Sequence, residues 1–309
     1  MKKEEFYYDS RDGESKIYAV RYLPDEGEIK GVLQIIHGMA EHLERYEPFA
    51  EYMTGKGFVV TGEEHLGHGH SVSATGHLGY FCAQDPATVV VRDVHRLKKM
   101  TQELYPELPY VVLGHSMGSF ILRNYLCRYG SGIHAAIIMG TGMLPKALVK
   151  TSAILAGVQR VFFGGRHKAK LINQLAFGAY NKKIPNAKTK NDWLTRDAAI
   201  VERYEQDPLC GFLFSVNGFQ TLFELILRLY KPENLAKIPK DLPIFIVSGD
   251  QDPVGEYGIG PEKARQSLVA AGLVDISIKL YENDRHEILN ELDRDQVNED
   301  IYSWILKKI

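Results

Sequence analysis

The chain has 309 residues, 45% of them hydrophobic and 25% charged, and 37 Lys+Arg against 39 Asp+Glu leave a net charge of −2. Such values exclude collagen-like, disordered and disulfide-scaffold classes, and the near-neutral balance gives no global attraction for nucleic acid. The length suits one large domain, or a core carrying an insertion.

Taken along the chain, strand and helix signals alternate. The start, MKKEEFYYDS, has no apolar h-region and is not a secretory signal. Lys16 to Tyr22 alternates like a strand, and Arg11-Asp12-Gly13 before it is turn chemistry, so an opening hairpin is expected. Val32 to Ile36 is a continuous apolar run of the kind needed by a sheet covered on both faces. A helix over 46–53 stops near Gly55, and a strand follows over 58–61. The spacing of Val91, Val94, Leu97 and Leu104 predicts a helix over 88–104. Next come a strand over 110–113, a helix over 117–129 and a strand over 135–139. From Thr141 to about Lys240 no strand is expected, and helices over 148–162, 168–175, 193–203 and 213–229 fill the stretch. Strands return at 244–247 and 276–280, with a helix near 262–271 between them and a final helix over 296–306. The pattern predicts an α/β fold with a mostly parallel sheet flanked by helices. Residues 1–140 and 241–309 form its core, and 141–240 are inserted as a helical cap.

The longest apolar runs are far too short for a membrane span. Cys82, Cys127 and Cys210 are widely spaced, with no CxxC pair. They make neither a disulfide framework nor a zinc ribbon, and a reduced, soluble, cytoplasmic protein is expected. The sequence sets no oligomeric state. Charge is partitioned unevenly: residues 141–240 hold 16 Lys+Arg and 7 Asp+Glu, net +9, against −11 for the rest. Ten basic residues and no acid lie between Lys146 and Lys190. A solvated helix face explains this run, and so does a surface that attracts anionic substrate or anionic lipid headgroups.

Chemistry centres on Val111-Val112-Leu113-Gly114-His115-Ser116-Met117-Gly118, an apolar strand running into Gly-x-Ser-x-Gly and then a helix. That context suits a nucleophilic serine on a very tight strand-to-helix turn, with small residues on either side and free N–H groups at the helix start. A serine hydroxyl needs a base, and the base an orienting carboxylate, in the order Ser, acid, His. After the strand at 244–247 comes Ser248-Gly249-Asp250-Gln251-Asp252-Pro253. Asp250 and Asp252 compete for the acid, and Asp252 is chosen because it stands further from the strand and Pro253 stiffens its loop. Asp250 suits a turn or cap. His286 follows the last strand and is the only histidine beyond His167, which makes it the base.

His37-Gly38-Met39-Ala40-Glu41-His42 follows the strand at 32–36, where a second oxyanion donor belongs. The two donors are assigned to the backbone N–H groups of Met39 and Met117, and His37 to a structural hydrogen-bonding role. His65, His68 and His70 have metal-like spacing, but no cysteine or carboxylate cluster accompanies them in the sequence. They are read as part of a tight glycine loop, and no metal site is assigned.

The set HGMAEH, HLGHGHS, GHSMG, GDQDP and RHE, in this order, resembles the α/β-hydrolase fold. Within it the chain is similar to the monoacylglycerol lipase and lysophospholipase group, labelled serine aminopeptidase S33-like or hydrolase-4. The resemblance covers nearly the whole chain, including the position of the cap. It implies Ser116, Asp252 and His286 as triad, and Met39 and Met117 as oxyanion donors. In monoacylglycerol lipases the Glu and Arg of an HGxxEHxxRY stretch help hold the glycerol end, which places Glu41 and Arg45 there. A second histidine that helps is replaced by Leu289, and the usual Asp before the GHG histidine by Glu64.

The expected activity is therefore hydrolysis of small-molecule or lipid carboxylic esters, such as monoacylglycerol, lysophospholipid or medium-chain acyl esters, through an acyl-enzyme. This chemistry needs no cofactor. Leu148, Leu155, Phe162, Phe163, Phe177, Trp193, Phe212 and Phe214 are candidates for the acyl pocket. Peripheral contact with anionic membrane through the basic cap is a further expectation. The alternatives are an S33-type aminopeptidase, which the basic cap disfavours, and a hydrolase fold that only binds ligand, which the complete triad disfavours.

Overall fold

The computed structural model describes residues 1–72 and 76–309. Eight strands form one sheet: β1 (Lys2–Asp9), β2 (Lys16–Leu23), β3 (Gly31–Ile36), β4 (Phe58–Glu63), β5 (Tyr110–His115), β6 (Ala135–Met139), β7 (Ile244–Gly249) and β8 (Ile276–Tyr281). Their spatial order is β1-β2-β4-β3-β5-β6-β7-β8. β2 is antiparallel to both neighbours and every later pairing is parallel. Every residue of β3 to β7 is buried, which explains the unbroken apolar runs: both faces of the sheet are covered.

The helices outside the β6–β7 stretch are α1 (Glu47–Gly55), α2 (Pro86–Leu104) and α3 (Met117–Tyr129) in the first half. Between β6 and β7 lie α4 (Lys146–Phe163), α5 (Lys170–Phe177), α6 (Ala198–Gln206), α7 (Val216–Arg228) and the single turn α8 (Pro232–Leu235). After β7 come α9 (Ile259–Ala270) and α10 (Arg294–Leu306). Alternate strand residues divide the core in two. Val32, Val112, Ile138 and Ile246 pack with Val94, Leu97, Ile121 and Leu268 of α2, α3 and α9. Leu33, Val111, Ile137 and Phe245 pack with Phe49, Met53, Ile301 and Trp304 of α1 and α10. The first cluster continues into Val149, Ala156, Phe219 and Leu222 of α4 and α7, so the helices after β6 share a core with the sheet.

Two helix starts in that stretch differ from the sequence reading. α6 begins at Ala198 instead of Trp193, because the Asp197 side chain accepts from the N–H groups of Ala199 and Ile200 and so caps it there. The stretch before it is spent elsewhere: the carbonyls of Trp193 and Leu194 accept from the backbone N–H groups of His286 and Glu287. α7 begins at Val216, capped by Ser215 Oγ on Gly218 N. Between β6 and β7 the only strand-like pairing among the described residues is a bridge from Lys168 to Ser215. No helix among them is long and apolar enough to cross a membrane.

Candidate active site

Ser116 sits between β5 and α3 with φ 53° and ψ −119°, backbone that costs a non-glycine residue about 1–3 kcal/mol. The surroundings enforce it. A Cβ on Gly114 would stand 2.4 Å from Gly118 O, and one on Gly118 would stand 2.0 Å from Ile36 O. Only glycine at both positions lets the strand turn straight into the helix against β3. Ser116 N donates to Met139 O at 3.0 Å, fixing the turn to the neighbouring strand.

The loops after β7 and β8 meet beside this turn. His286 Nδ1 lies 2.9 Å from Asp252 Oδ2, with Asp252 wholly buried and His286 nearly so. Asp252 also accepts from Val254 N at 2.8 Å and Ser248 Oγ at 3.3 Å, so its carboxylate cannot swing. Asp250, its competitor in the sequence, instead accepts from Asn283 N at 2.8 Å and closes the turn after β8. Pairing through Nδ1 leaves His286 Nε2 as the nitrogen available to a hydroxyl, and His286 and Ser116 line one cavity. The Trp193 ring packs 5.0 Å from the His286 ring, so the segment between α5 and α6 forms part of the wall.

Met39 and Met117 line the same cavity. The Met39 loop is shaped by a buried polar cluster. Glu41 Oε1 accepts from Gly38 N at 2.6 Å and from the Tyr46 hydroxyl at 2.8 Å, and Oε2 accepts from Arg45 Nη1 at 2.6 Å. Arg45 also grips Glu287 with both nitrogens, at 2.7 and 2.6 Å. His115, one residue before Ser116, reaches Glu41 Oε1 at 3.3 Å and the His286 carbonyl at 3.3 Å. Burial alone would raise the Glu41 carboxyl, but His115 and Arg45 beside it hold it well below the carboxylate range. Burial works against protonation of His115, and Glu41 overcomes it, so that its pKa is raised. The cluster ties three loops, those of Met39, Ser116 and His286, to one set of charges.

His37 is buried beneath the Met39 loop. Its Nδ1–H donates to Gly38 O at 2.8 Å and its Nε2 accepts from His65 N at 3.0 Å, while His65 Nε2 donates to His37 O at 3.1 Å. Burial pushes His65 down to about 4 and His68 to about 3. Neutral imidazoles therefore brace this loop. His70 is turned aside, onto Glu64 Oε2 at 3.1 Å.

The cavity has a volume of about 620 Å³ and runs from Ser116 into the helices after β6. Of the residues singled out in the sequence, Glu41, Arg45, Leu148, Leu155, Phe177, Trp193 and Phe212 line it. Three others do not. Phe162 and Phe163 stand on the exposed end of α4, and Phe163 stacks on His167 there. Phe214 is fully buried behind the wall against His68, Phe81 and Phe219. The main apolar wall that sequence reasoning missed is Phe219, Leu222, Phe223 and Ile226 of α7. Their i, i+3, i+4, i+7 spacing was the available signal.

Residues 27–293 match the family described as serine aminopeptidase, S33. The chain is 28% identical to a monoacylglycerol lipase of Mycolicibacterium smegmatis, over 91% of this chain and 89% of that protein. It is 26% identical to the human monoglyceride lipase, over 93% of this chain and 86% of that one. Among solved structures it is similar to a highly thermostable carboxyl esterase from Bacillus coagulans in complex with glycerol. That match has a TM-score of 0.91 and 32% identity, and covers 100% and 99% of the two chains.

Proposed function

The chain belongs to the serine aminopeptidase S33 family of α/β-hydrolases, and on that premise we propose that it cleaves carboxylic esters through a serine acyl-enzyme. The observation that carries this reading is the buried His286–Asp252 pair opening onto the same apolar cavity as the strained Ser116. His286 takes the Ser116 proton as the hydroxyl attacks the ester carbonyl. The N–H groups of Met39 and Met117 receive the oxyanion, and His286 returns the proton to the leaving alcohol. A water activated by His286 then releases the acid, and Asp252 holds the ring and stabilises its cation throughout. Every step uses only this chain and water.

We read residues 141–240 as a cap over this site. The apolar walls from α4, α5 and α7 suit an acyl chain, and the Glu41–Arg45 end beside Met39 suits the alcohol. Monoacylglycerol, lysophospholipid and medium-chain acyl esters fit that division, and the relatives described as monoacylglycerol lipases support the first of them. An aminopeptidase would need a free acid for the substrate's amine, and the two glutamates at that end are both paired with Arg45. α4 and α5 expose Ile154, Val161, Phe162, Phe163 and Leu175 in the stretch rich in lysine. That face suits reversible contact with anionic membrane, from a protein working in the cytoplasm.

The test is a panel of p-nitrophenyl esters of rising chain length, run beside monoacylglycerol, lysophospholipid and aminoacyl anilides. The expected result is high kcat/KM on acyl esters and negligible anilide cleavage. Preference for the anilides would overturn the reading.

A further inference from the structure

Away from the cavity, His42, Asp207 and Cys210 converge from two regions distant in sequence. His42 lies in the loop that carries Met39, and Asp207 and Cys210 lie just after α6. A ring nitrogen of His42, a carboxylate oxygen of Asp207 and Cys210 Sγ all lie within 4.8 Å of one another. His42 Nε2 is the nitrogen that faces the pair, 2.7 Å from Asp207 Oδ2. The two segments are held in place by other bonds: Gly211 N donates to Ala40 O at 2.9 Å, and the Tyr204 hydroxyl to the same carbonyl at 3.1 Å. Asp207 Oδ1 is occupied by Leu209 N at 2.8 Å, which leaves Oδ2 to the site. None of the three residues lines the reaction cavity.

A second observation lies on the far side of the imidazole. His42 Nδ1 is buried and has no hydrogen-bond partner among the described residues, and neither has Glu64 Oε1, which lies 4.0 Å from it. A carboxylate behind the outer nitrogen is the usual support for a metal-bound histidine, because it fixes the tautomer with the inner nitrogen free to ligate. A second convergence of possible ligands among the described residues, Asp284, Glu291 and Asp293, is different in kind: the Arg196 guanidinium already fills it.

We propose that His42, Asp207 and Cys210 form a binding site for a zinc-type divalent ion that clamps the Met39 loop to the segment after α6. Thiolate, imidazole and carboxylate together favour Zn²⁺ or Co²⁺ over Ca²⁺ or Mg²⁺. Metal–ligand bonds of about 2.0–2.3 Å place tetrahedral ligand atoms roughly 3.3–3.8 Å apart. The His42–Asp207 contact must therefore open by only about 1 Å. The side chain of Asp207 is 30% exposed, so the ion has a path in and a water can complete its shell. The protons balance simply. The Cys210 S–H bond breaks, a metal–sulfur bond forms, and one proton leaves to solvent. The His42 proton moves from Nε2 to Nδ1, where it faces Glu64 Oε1, and Nε2 gives its lone pair to the ion.

The test uses the full chain, stripped with chelator and titrated with Co²⁺ and then Zn²⁺. One Co²⁺ per chain should bind with a thiolate-to-cobalt charge-transfer band and tetrahedral visible bands, releasing one proton, and Zn²⁺ should displace it and raise Tm. Cys210→Ser should abolish the charge-transfer band, whereas Cys82→Ser and Cys127→Ser should keep it. Asp207→Asn, on the exposed edge, should weaken Co²⁺ binding at least tenfold even if the cysteine variant folds poorly. Absence of a thiolate band in the wild type, or a band and affinity unchanged by Cys210→Ser and Asp207→Asn, would overturn the proposal.

Discussion

α3 and α4 are both rich in apolar residues, yet they are buried very differently. In α3 every residue from Met117 to Leu126 is buried, including Arg123 and Asn124. In α4, longer by more than a turn, only Val149 and Ala156 are buried, while Val161 is 82% exposed and Phe162 75%. α3 lies between the sheet, α2 and α7, and it carries the strained Ser116 turn at its start. α4 packs along one face on α7, touches α5 and lines the cavity with Leu148 and Leu155, and it leaves Ile154, Val161, Phe162 and Phe163 in water. The contrast separates rigid geometry, which chemistry needs, from a partly unsatisfied surface, which contact with something outside the molecule would satisfy.

The largest expected effect tests the rigid side. Ser116→Ala should lower ester kcat by about 10⁶-fold with Tm essentially unchanged, since the methyl group fits where the hydroxyl stood. Retained turnover within a few fold would show that the strained turn is not the reaction centre. Asp252→Asn comes next, with a loss approaching 10⁴-fold in kcat, because it removes the anion on His286 Nδ1. Asp250→Asn should leave kcat within a few fold, as Asp250 accepts from Asn283 N and Gln251 Nε2 and does not touch His286. Equal losses in the two variants would break the assignment.

The same contrast explains what could be read before the fold was seen. Gly114, Gly118, the strand ends and the order Ser116, Asp252, His286 are visible in the sequence because backbone sterics leave few other residues for such a turn. The shift of α6 from Trp193 to Ala198 was hidden, since the carbonyls of Trp193 and Leu194 serve the His286 loop almost a hundred residues away. Phe162 and Phe163, expected at the pocket, lie outside it for another reason. α4 is apolar around most of its circumference, so periodicity cannot tell which face meets substrate. α7, with its clean stripe at 219, 222, 223 and 226, could have been read correctly. The link between Glu41, His115 and the His286 carbonyl joins three loops and leaves no local trace in the chain.

A smaller effect concerns charge in the rigid core. Burial raises Glu63 from the ordinary 4.5 to about 8, although its hydrogen bond from the Tyr8 hydroxyl pulls the other way. Burial, with Glu63 adding to it, likewise raises Asp93 to about 7. A carboxyl with a raised folded pKa holds its proton more tightly when folded. Its contribution to stability is full below about 4.5 and is lost as the pH climbs through about 8. Thermal melting across that window should show the wild type losing Tm as pH rises, and Glu63→Gln should flatten the slope while keeping an acceptor for Tyr8. An unchanged slope would mean that Glu63 is already ionised in the folded protein.

The smallest effect belongs to the exposed side and decides what α4 is for. Each lysine close to an anionic bilayer contributes on the order of 1 kcal/mol, so three or four from the stretch between Lys146 and Lys190 would give detectable binding. Phe162 and Phe163 would add about 1.5–3 kcal/mol for each ring fully buried in the acyl boundary. The two contributions respond to different tests, because salt screens the first and leaves the second nearly untouched. Co-sedimentation with anionic vesicles should therefore fall steeply from low to high salt. Phe162→Ser with Phe163→Ser should weaken binding at both salt levels and spare turnover of a short soluble ester, since neither ring lines the cavity. Equal sedimentation with anionic and neutral vesicles would remove the lysines from the account. No sedimentation with either would leave α4 as a pocket wall with a greasy back, and the natural substrate would then be a small soluble ester that reaches Ser116 without the protein meeting a bilayer.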